Sequence, residues 1–138
     1  EDFSREMGLP LVRSGEAKEL LYQRSAVATA CAAAGAQAID VIWTALEDLS
    51  GLTEEAAQAR RLGYTAKAAI HPSQIDPINA AFSPTDQEID YAREVIAALD
   101  AAVAEGTGVI NLEGAFIEEP VVARARRTLD LARRYGEV

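Results

Sequence analysis

Glu1-Asp2 sets two carboxylates side by side, and hard cations such as Mg²⁺ take oxygen donors. An adjacent acid pair is equally ordinary loop composition. His71 is the sole histidine. It falls where the run Lys67-Ala68-Ala69-Ile70 meets Pro72. If that run is a parallel strand, His71 stands at its C-terminal end, where barrel active sites lie. The same His-Pro-Ser sequence also suits a plain strand exit into a helix. Glu118 and Glu119 precede Pro120. Helix N-termini favour acids, and a carboxylate on a terminal segment can also serve as general acid or base. Lys67 would need a pKa depressed by burial to carry a Schiff base, and it lies at the wrong end of its strand. Trp43 reads as a packing residue at a strand end, with stacking on a ligand as the alternative. Cys31, in the run Ala28-Thr29-Ala30-Cys31-Ala32-Ala33-Ala34, reads as a small core residue. No histidine or helix N-terminus stands near it to make a nucleophile.

The elements that must position these groups follow from periodicity. Gly8, Pro10, Ser14 and Gly15 make residues 1–15 a loop. A helix spans about 16–34, with Leu20, Val27, Cys31 and Ala34 on one face and Leu21 and Ala28 beside them. Gly35 stops it. Residues 38–43 form a short buried strand. A second helix starts at Ser50 or Thr53, where Thr53-Glu54-Glu55 is an N-terminal signature, and ends at Gly63. Residues 67–70 form the next strand, closed by Pro72, and residues 73–81 a short helix. Ser83-Pro84-Thr85-Asp86 opens a longer helix with an N-cap, a proline at the first position and an acid in the first turn. Ile89, Ala92, Ile96, Leu99 and Val103 carry it toward Gly106.

Strands alternating with helices mean βαβ units and a parallel sheet. Two strands cannot form a parallel core alone, because parallel strands are buried on both faces. The chain therefore reads as part of something larger. The tail differs: residues 109–112 and 115–117 form a hairpin around Gly114. A last helix spans about 120–135, with Val122, Ala125, Leu129 and Ala132 inward. Its outer face carries Arg124, Arg126, Arg127, Arg133 and Arg134, a solvated basic face that also suits a helix C-terminus, with an anion site as the alternative.

The 138 residues fit one ordinary domain. Hydrophobic residues are 49% and charged residues 25%, as in soluble globular proteins. Much of the apolar share is alanine, so leucine, isoleucine and valine must build the core. The formal net charge of −9 leaves no basic footprint for nucleic acid. No run approaches the roughly 18 apolar residues of a membrane span. One cysteine makes no internal disulfide and suits a reducing, cytoplasmic setting. The start, without Met or targeting character, reads as a processed or truncated chain.

Several segments occur in an order that spacing alone does not explain. They are Glu1-Asp2-Phe3, Leu20-Leu21-Tyr22-Gln23-Arg24-Ser25, Gln37-Ala38-Ile39-Asp40, the stretch from Gly63 to Ile75, and Ala81-Phe82-Ser83-Pro84. Together they resemble the citrate lyase beta-subunit-like family, which includes malyl-CoA and citramalyl-CoA lyases. Lys67-x-x-Ile70-His71-Pro72-x-Gln74 followed by Phe82-Ser83-Pro84 is the most specific part. The resemblance implies an α/β fold that is the C-terminal part of a (β/α)8 TIM barrel, residues 1–105, plus a C-terminal hairpin–helix extension over a site, residues 106–138.

It implies Asp2 as one Mg²⁺ ligand, with a partner glutamate and a substrate-binding arginine upstream. It makes the mouth loop His71, Pro72, Ser73 and Gln74 a candidate CoA-binding segment. Residues 114–120 resemble the segment that brings a catalytic acid over the site. That acid is usually aspartate, and here it is Glu118. Ala45 is a second departure, since relatives often carry an acid or amide there. The implied reaction is a Mg²⁺-dependent carbon–carbon lyase, or synthase in reverse, on a CoA thioester of a short hydroxy-dicarboxylic acid. A thioesterase on the same scaffold and a non-catalytic CoA-binding or assembly subunit are the alternatives. The implied assembly is a homotrimer or hexamer with the C-terminal segment reaching a neighbouring subunit. By itself this chain is expected to be inactive.

Overall fold

The computed structural model describes residues 2–9, 18–107, 110–112 and 114–136. The chain divides into two compact units, Glu1–Phe82 and Ser83–Val138. The break expected between residues 105 and 106 falls inside the second unit.

In the first unit, α1 (Asp2–Glu6) replaces the loop expected there, with Arg5 one turn from Asp2. Pro10, Ser14 and Gly15 lie outside the described residues. A 3-10 turn, Lys18–Leu20, leads into α2 (Leu21–Ala33). The chain then passes through β1 (Ile39–Asp40), α3 (Leu49–Arg61) and β2 (Ala66–Lys67). β1 and β2 pair in parallel, Ile39 with Ala66 and Asp40 with Lys67. That is the βαβ unit expected from the alternation. The paired segments are shorter than the apolar runs because the ladder ends early. Ala68 N–H still donates to the Asp40 carbonyl at 3.1 Å, but Ile70 N–H turns to the Gln74 side chain instead. A 3-10 turn, Pro72–Gln74, and α4 (Ile75–Phe82) complete the unit.

α3 starts earlier than Thr53 or Ser50 suggested. Asp48 is the N-cap, its carboxylate accepting from Gly51 N–H at 2.9 Å. The Thr53 hydroxyl donates back to the Leu49 carbonyl. Leu52, Ala56 and Ala59 lie three and four residues apart and bury one stripe against Trp43, Tyr64, Ile78 and Phe82. The face expected for α2 is corrected. Val27 is 51% exposed and Leu21 is exposed, and Arg24 is buried instead, beside Ala28, which is buried as expected. Cys31 packs on the edge of this core.

In the second unit, α5 (Asp86–Ala104) has Thr85 as its N-cap, two residues beyond the expected Ser83. Thr85 and Glu88 form a reciprocal capping box, Glu88 N–H to the Thr85 hydroxyl and Thr85 N–H to the Glu88 carboxylate. β3 (Ile110–Leu112) and β4 (Ala115–Ile117) pair antiparallel, with Gly114 at φ +84 in the turn. Val109 and Glu113 lie outside the described residues. α6 (Glu119–Tyr135) ends on left-handed Gly136. It packs on α5, and Val122 and Ala125 share a core cluster with Ala92 and Val95 of α5 and Ile117 of β4. Val103, expected inward, is exposed, and Ala102 is buried in its place. Among the described residues, no helix is long and apolar enough to cross a membrane.

Candidate functional site

Two loops leave the C-terminal ends of the parallel strands, where open α/β sheets bind ligands. After β1 the chain runs through Trp43, Thr44 and Ala45 to the start of α3. These residues, with Asp48, Ser50 and Glu54, border a depression of about 370 Å³. The Trp43 indole N–H donates to the Asp48 carbonyl at 3.0 Å and closes this loop. After β2 comes Ile70, then His71, Pro72 and Ser73, all exposed. His71 Nδ1 lies 2.8 Å from the Ser73 hydroxyl and accepts from Ser73 N–H. His71 therefore caps its own turn and leaves Nε2 as the ring nitrogen not engaged there.

Gln74 differs from the three residues before it. It is 0% exposed. Its Oε1 accepts from Ile70 N–H at 2.9 Å, and its Nε2 donates to the Trp43 carbonyl at 2.8 Å. Both ends of the amide are used inside the fold.

Beneath these loops lies a buried ion network that the sequence reading missed. Lys67 Nζ donates to Asp40 at 2.9 Å, to Glu55 at 2.6 Å and to the Val41 carbonyl at 2.6 Å. Arg24 donates to Asp40 at 3.0 Å and to Gln58 at 2.7 Å. The Arg24 guanidinium also stands 5.9 Å from the Tyr64 ring centre. Two cations and two anions thus leave water together. Such a set is tolerable only when charges balance and hydrogen bonds are satisfied. Burial, then the neighbouring Asp40 charge, pushes the Tyr64 hydroxyl pKa up. Lys67 is saturated by partners, which removes the Schiff-base role on geometry as well as on strand position. The signal available in sequence was the presence of Arg24, Asp40 and Lys67 on surfaces otherwise patterned as buried.

Asp2 is at the start of the five-residue α1, its side chain 95% exposed and 3.9 Å from Arg5. Glu1 lies outside the described residues. Among the described residues, no three His, Cys, Asp or Glu side chains converge as a cation site. Mg²⁺ wants near-octahedral oxygen coordination. Asp2 offers one suitable donor, and the described residues do not make a complete site.

Glu118 belongs to the second unit. It precedes α6 in an extended conformation (φ −91, ψ 159) and makes no capping hydrogen bond with its side chain. Glu118 thus holds the N-cap position, with Glu119 in the first turn, but without a bond from its carboxylate to the helix. Glu118 and Glu119 border a depression of about 450 Å³ together with Phe116, Val122 and Arg126. The carboxylate is exposed on the rim of an apolar hollow with a guanidinium on its border.

Residues 1–72 match the sequence pattern of the family described as HpcH/HpaI aldolase/citrate lyase. The chain belongs to that family. It is 39% identical over 136 residues to citrate lyase subunit beta of Escherichia coli K12, covering 99% of this chain and 44% of that protein. It is 33% identical over 132 residues to the mitochondrial citramalyl-CoA lyase of Homo sapiens, covering 96% of this chain and 38% of that one. Among solved structures it resembles the CitE protein of Mycobacterium tuberculosis in complex with magnesium, acetoacetate and coenzyme A. The TM-score is 0.77 at 29% identity, over 94% of this chain and 48% of that one. The chain thus spans 38–48% of the length of these relatives.

The HpcH/HpaI aldolase/citrate lyase match takes in Asp2, the ion network and His71-Pro72, and ends there. The hairpin and α6 lie beyond it, yet fall within the 136 residues shared with the E. coli subunit. Both candidate regions, the strand exits and the Glu118 segment, therefore have counterparts in a named lyase subunit.

Proposed function

We propose that this chain forms part of a Mg²⁺-dependent carbon–carbon lyase acting on the CoA thioester of a short hydroxy-dicarboxylic acid. The products are a 2-oxo acid and an acyl-CoA. The observation that carries this reading is the likeness to the M. tuberculosis CitE protein, whose structure holds magnesium, acetoacetate and coenzyme A. The β1–α3–β2 unit is read as the last part of a (β/α)8 barrel, with the exit loops at its mouth.

In the cleavage direction the substrate hydroxyl loses its proton and becomes the carbonyl of the 2-oxo acid. The bond to the thioester's α carbon breaks, and its electron pair becomes the thioester enolate. That enolate takes a proton to give the acyl-CoA, so no oxidant or reductant is consumed. Bound Mg²⁺ supplies Lewis-acid polarisation of the 2-oxo acid oxygens. Asp2 serves as one ligand. Glu118, an uncapped carboxylate on a terminal segment, moves the proton. The His71–Ser73 turn offers donors at the mouth to the CoA portion. In a trimer or hexamer, the segment carrying Glu118 reaches a neighbouring subunit's site. The single cysteine suits work in the cytoplasm.

Product analysis on the full-length protein with Mg²⁺ tests the reading. Malyl-CoA or citramalyl-CoA is expected to give a 2-oxo acid and an acyl-CoA in equal amounts. Free CoA with the hydroxy acid intact would establish a thioesterase instead. Glu118→Gln is expected to lower kcat about 10²–10⁴-fold, and Asp2→Asn to weaken Mg²⁺ binding. A Glu118→Gln enzyme with full activity would remove this residue from the mechanism.

A further inference from the structure

The β1–β2 ladder stops where the two chains are still travelling toward the site. Its last backbone bond runs from Ala68 N–H to the Asp40 carbonyl. Beyond it, Trp43 and Ile70 lie on different strand exits. The Gln74 side chain spans them, accepting from Ile70 N–H and donating to the Trp43 carbonyl. One buried amide thus takes over from the sheet.

The residue type fits this task closely. Ile70 presents a donor and Trp43 an acceptor, and a neutral amide offers one of each. A leucine of similar size would leave both backbone groups without their partner. A glutamate would serve Ile70, but once ionised would have no proton for Trp43. Each end of the tie is then passed on. From Trp43, the indole bond to the Asp48 carbonyl fixes the β1 exit loop. From Gln74, its own N–H donates to the His71 carbonyl at 3.0 Å and closes the turn that carries His71 and Ser73.

We propose that Gln74 is a positioning residue that couples the two strand-exit loops, setting the stance of His71 and Ser73 toward a CoA thioester without touching it. This rests on the lyase reading, in which those loops face the substrate. Gln74 then acts on binding through the turn, whereas His71 and Ser73 act by contact.

The test uses the full-length protein carrying Gln74→Leu or Gln74→Glu, with hydrogen exchange and steady-state kinetics as readouts. Gln74→Leu is expected to speed exchange in both 43–48 and 68–74. It should also raise KM for the CoA thioester about tenfold, with kcat within about twofold. Gln74→Glu is expected to keep a KM near the parent's while its carboxyl is protonated and can donate to Trp43. The KM should then climb as the pH rises through its ionisation. A purely structural loss would instead lower the active fraction, so kcat would fall with no pH-dependent KM. Faster exchange confined to 68–74, or an unchanged KM in both variants, overturns the proposal. If Gln74→Leu does not fold, the pH profile of Gln74→Glu decides. If the parent neither cleaves nor binds any CoA thioester, the lyase reading fails separately. Exchange then still decides the coupling: joint loosening of both loops upholds it, and loosening of one overturns it.

Discussion

Lys67 shows how a residue's chemistry changes once its surroundings are known. In sequence it opens a strand and invites comparison with amine catalysts. In the fold its ammonium is 0% exposed and is shared by Asp40, Glu55 and the Val41 carbonyl. The partners lie 27, 12 and 26 residues away in sequence, so no local pattern reveals them. Asp40, by contrast, was visible as an acid inside an apolar strand, although its partners were not. Removing one member of a buried balanced set costs more than the pair contributes, because the remaining charges stay desolvated. Lys67→Met is therefore expected to destabilise the full-length protein by about 3–5 kcal/mol. Adding Glu55→Leu to Lys67→Met is expected to recover part of that loss, since it restores charge balance. Denaturant midpoints of the single and double variants measure this. A double variant that loses at least the sum of the two single losses would mean that packing, not charge balance, dominates.

At the scale of elements, the longer helices were legible, whereas α1 and the starts of α3 and α5 were not. The apolar spacing of α5 and α6 located both to within a few residues, because burial of a stripe is a strong periodic constraint, and the acidic start signature and Gly63 bracketed α3. The N-caps of α3 and α5 moved because several Ser, Thr and Asp residues compete at each of those starts. Tertiary contacts select among them. Asp48 wins over Thr53 because the loop from β1 delivers it there, held by the Trp43 indole. The strands were recognised by composition but overextended, since apolar runs do not reveal where a ladder stops. Gly51 in the first turn of α3 records how tightly that start is built. A methyl group there would overlap the Asp48 carboxylate and come within 2.7 Å of the Trp43 ring. Helix propensity alone favours alanine over glycine by about 1 kcal/mol. Gly51→Ala is expected to reverse that preference and lower stability, because the overlap displaces the N-cap or the indole. Thermal melts decide the sign, and an increase in Tm would mean that the loop yields at no cost.

At the scale of the whole molecule, the family was readable because ordered motifs survive where individual roles do not. The fold of this portion was readable in part, because alternating strands and helices imply a parallel sheet. Residues outside a sequence window, such as the acids that surround Lys67 or the carbonyl that Gln74 reaches, stayed hidden. The first unit also displays what a two-stranded parallel sheet lacks. Ile39 on β1 is 60% exposed, and Val41, Val27 and Phe3 are exposed near it. With Leu20 and Tyr64, these residues border a largely apolar hollow of about 390 Å³ that Asp40 and Glu55 also line. Parallel strands are stable when covered on both faces, and contiguous exposed apolar surface of this kind favours association or dye binding. The 138-residue chain prepared alone is therefore expected to bind an apolar fluorescent dye and to self-associate. On the proposed lyase reading it should show no turnover of malyl-CoA with Mg²⁺, since among the described residues no three His, Cys, Asp or Glu side chains converge as a cation site. Sedimentation, dye titration and the product assay on one preparation check all three. A dye-silent monomer would show that this hollow closes without further strands, and turnover by the isolated chain would mean that its own residues complete the site.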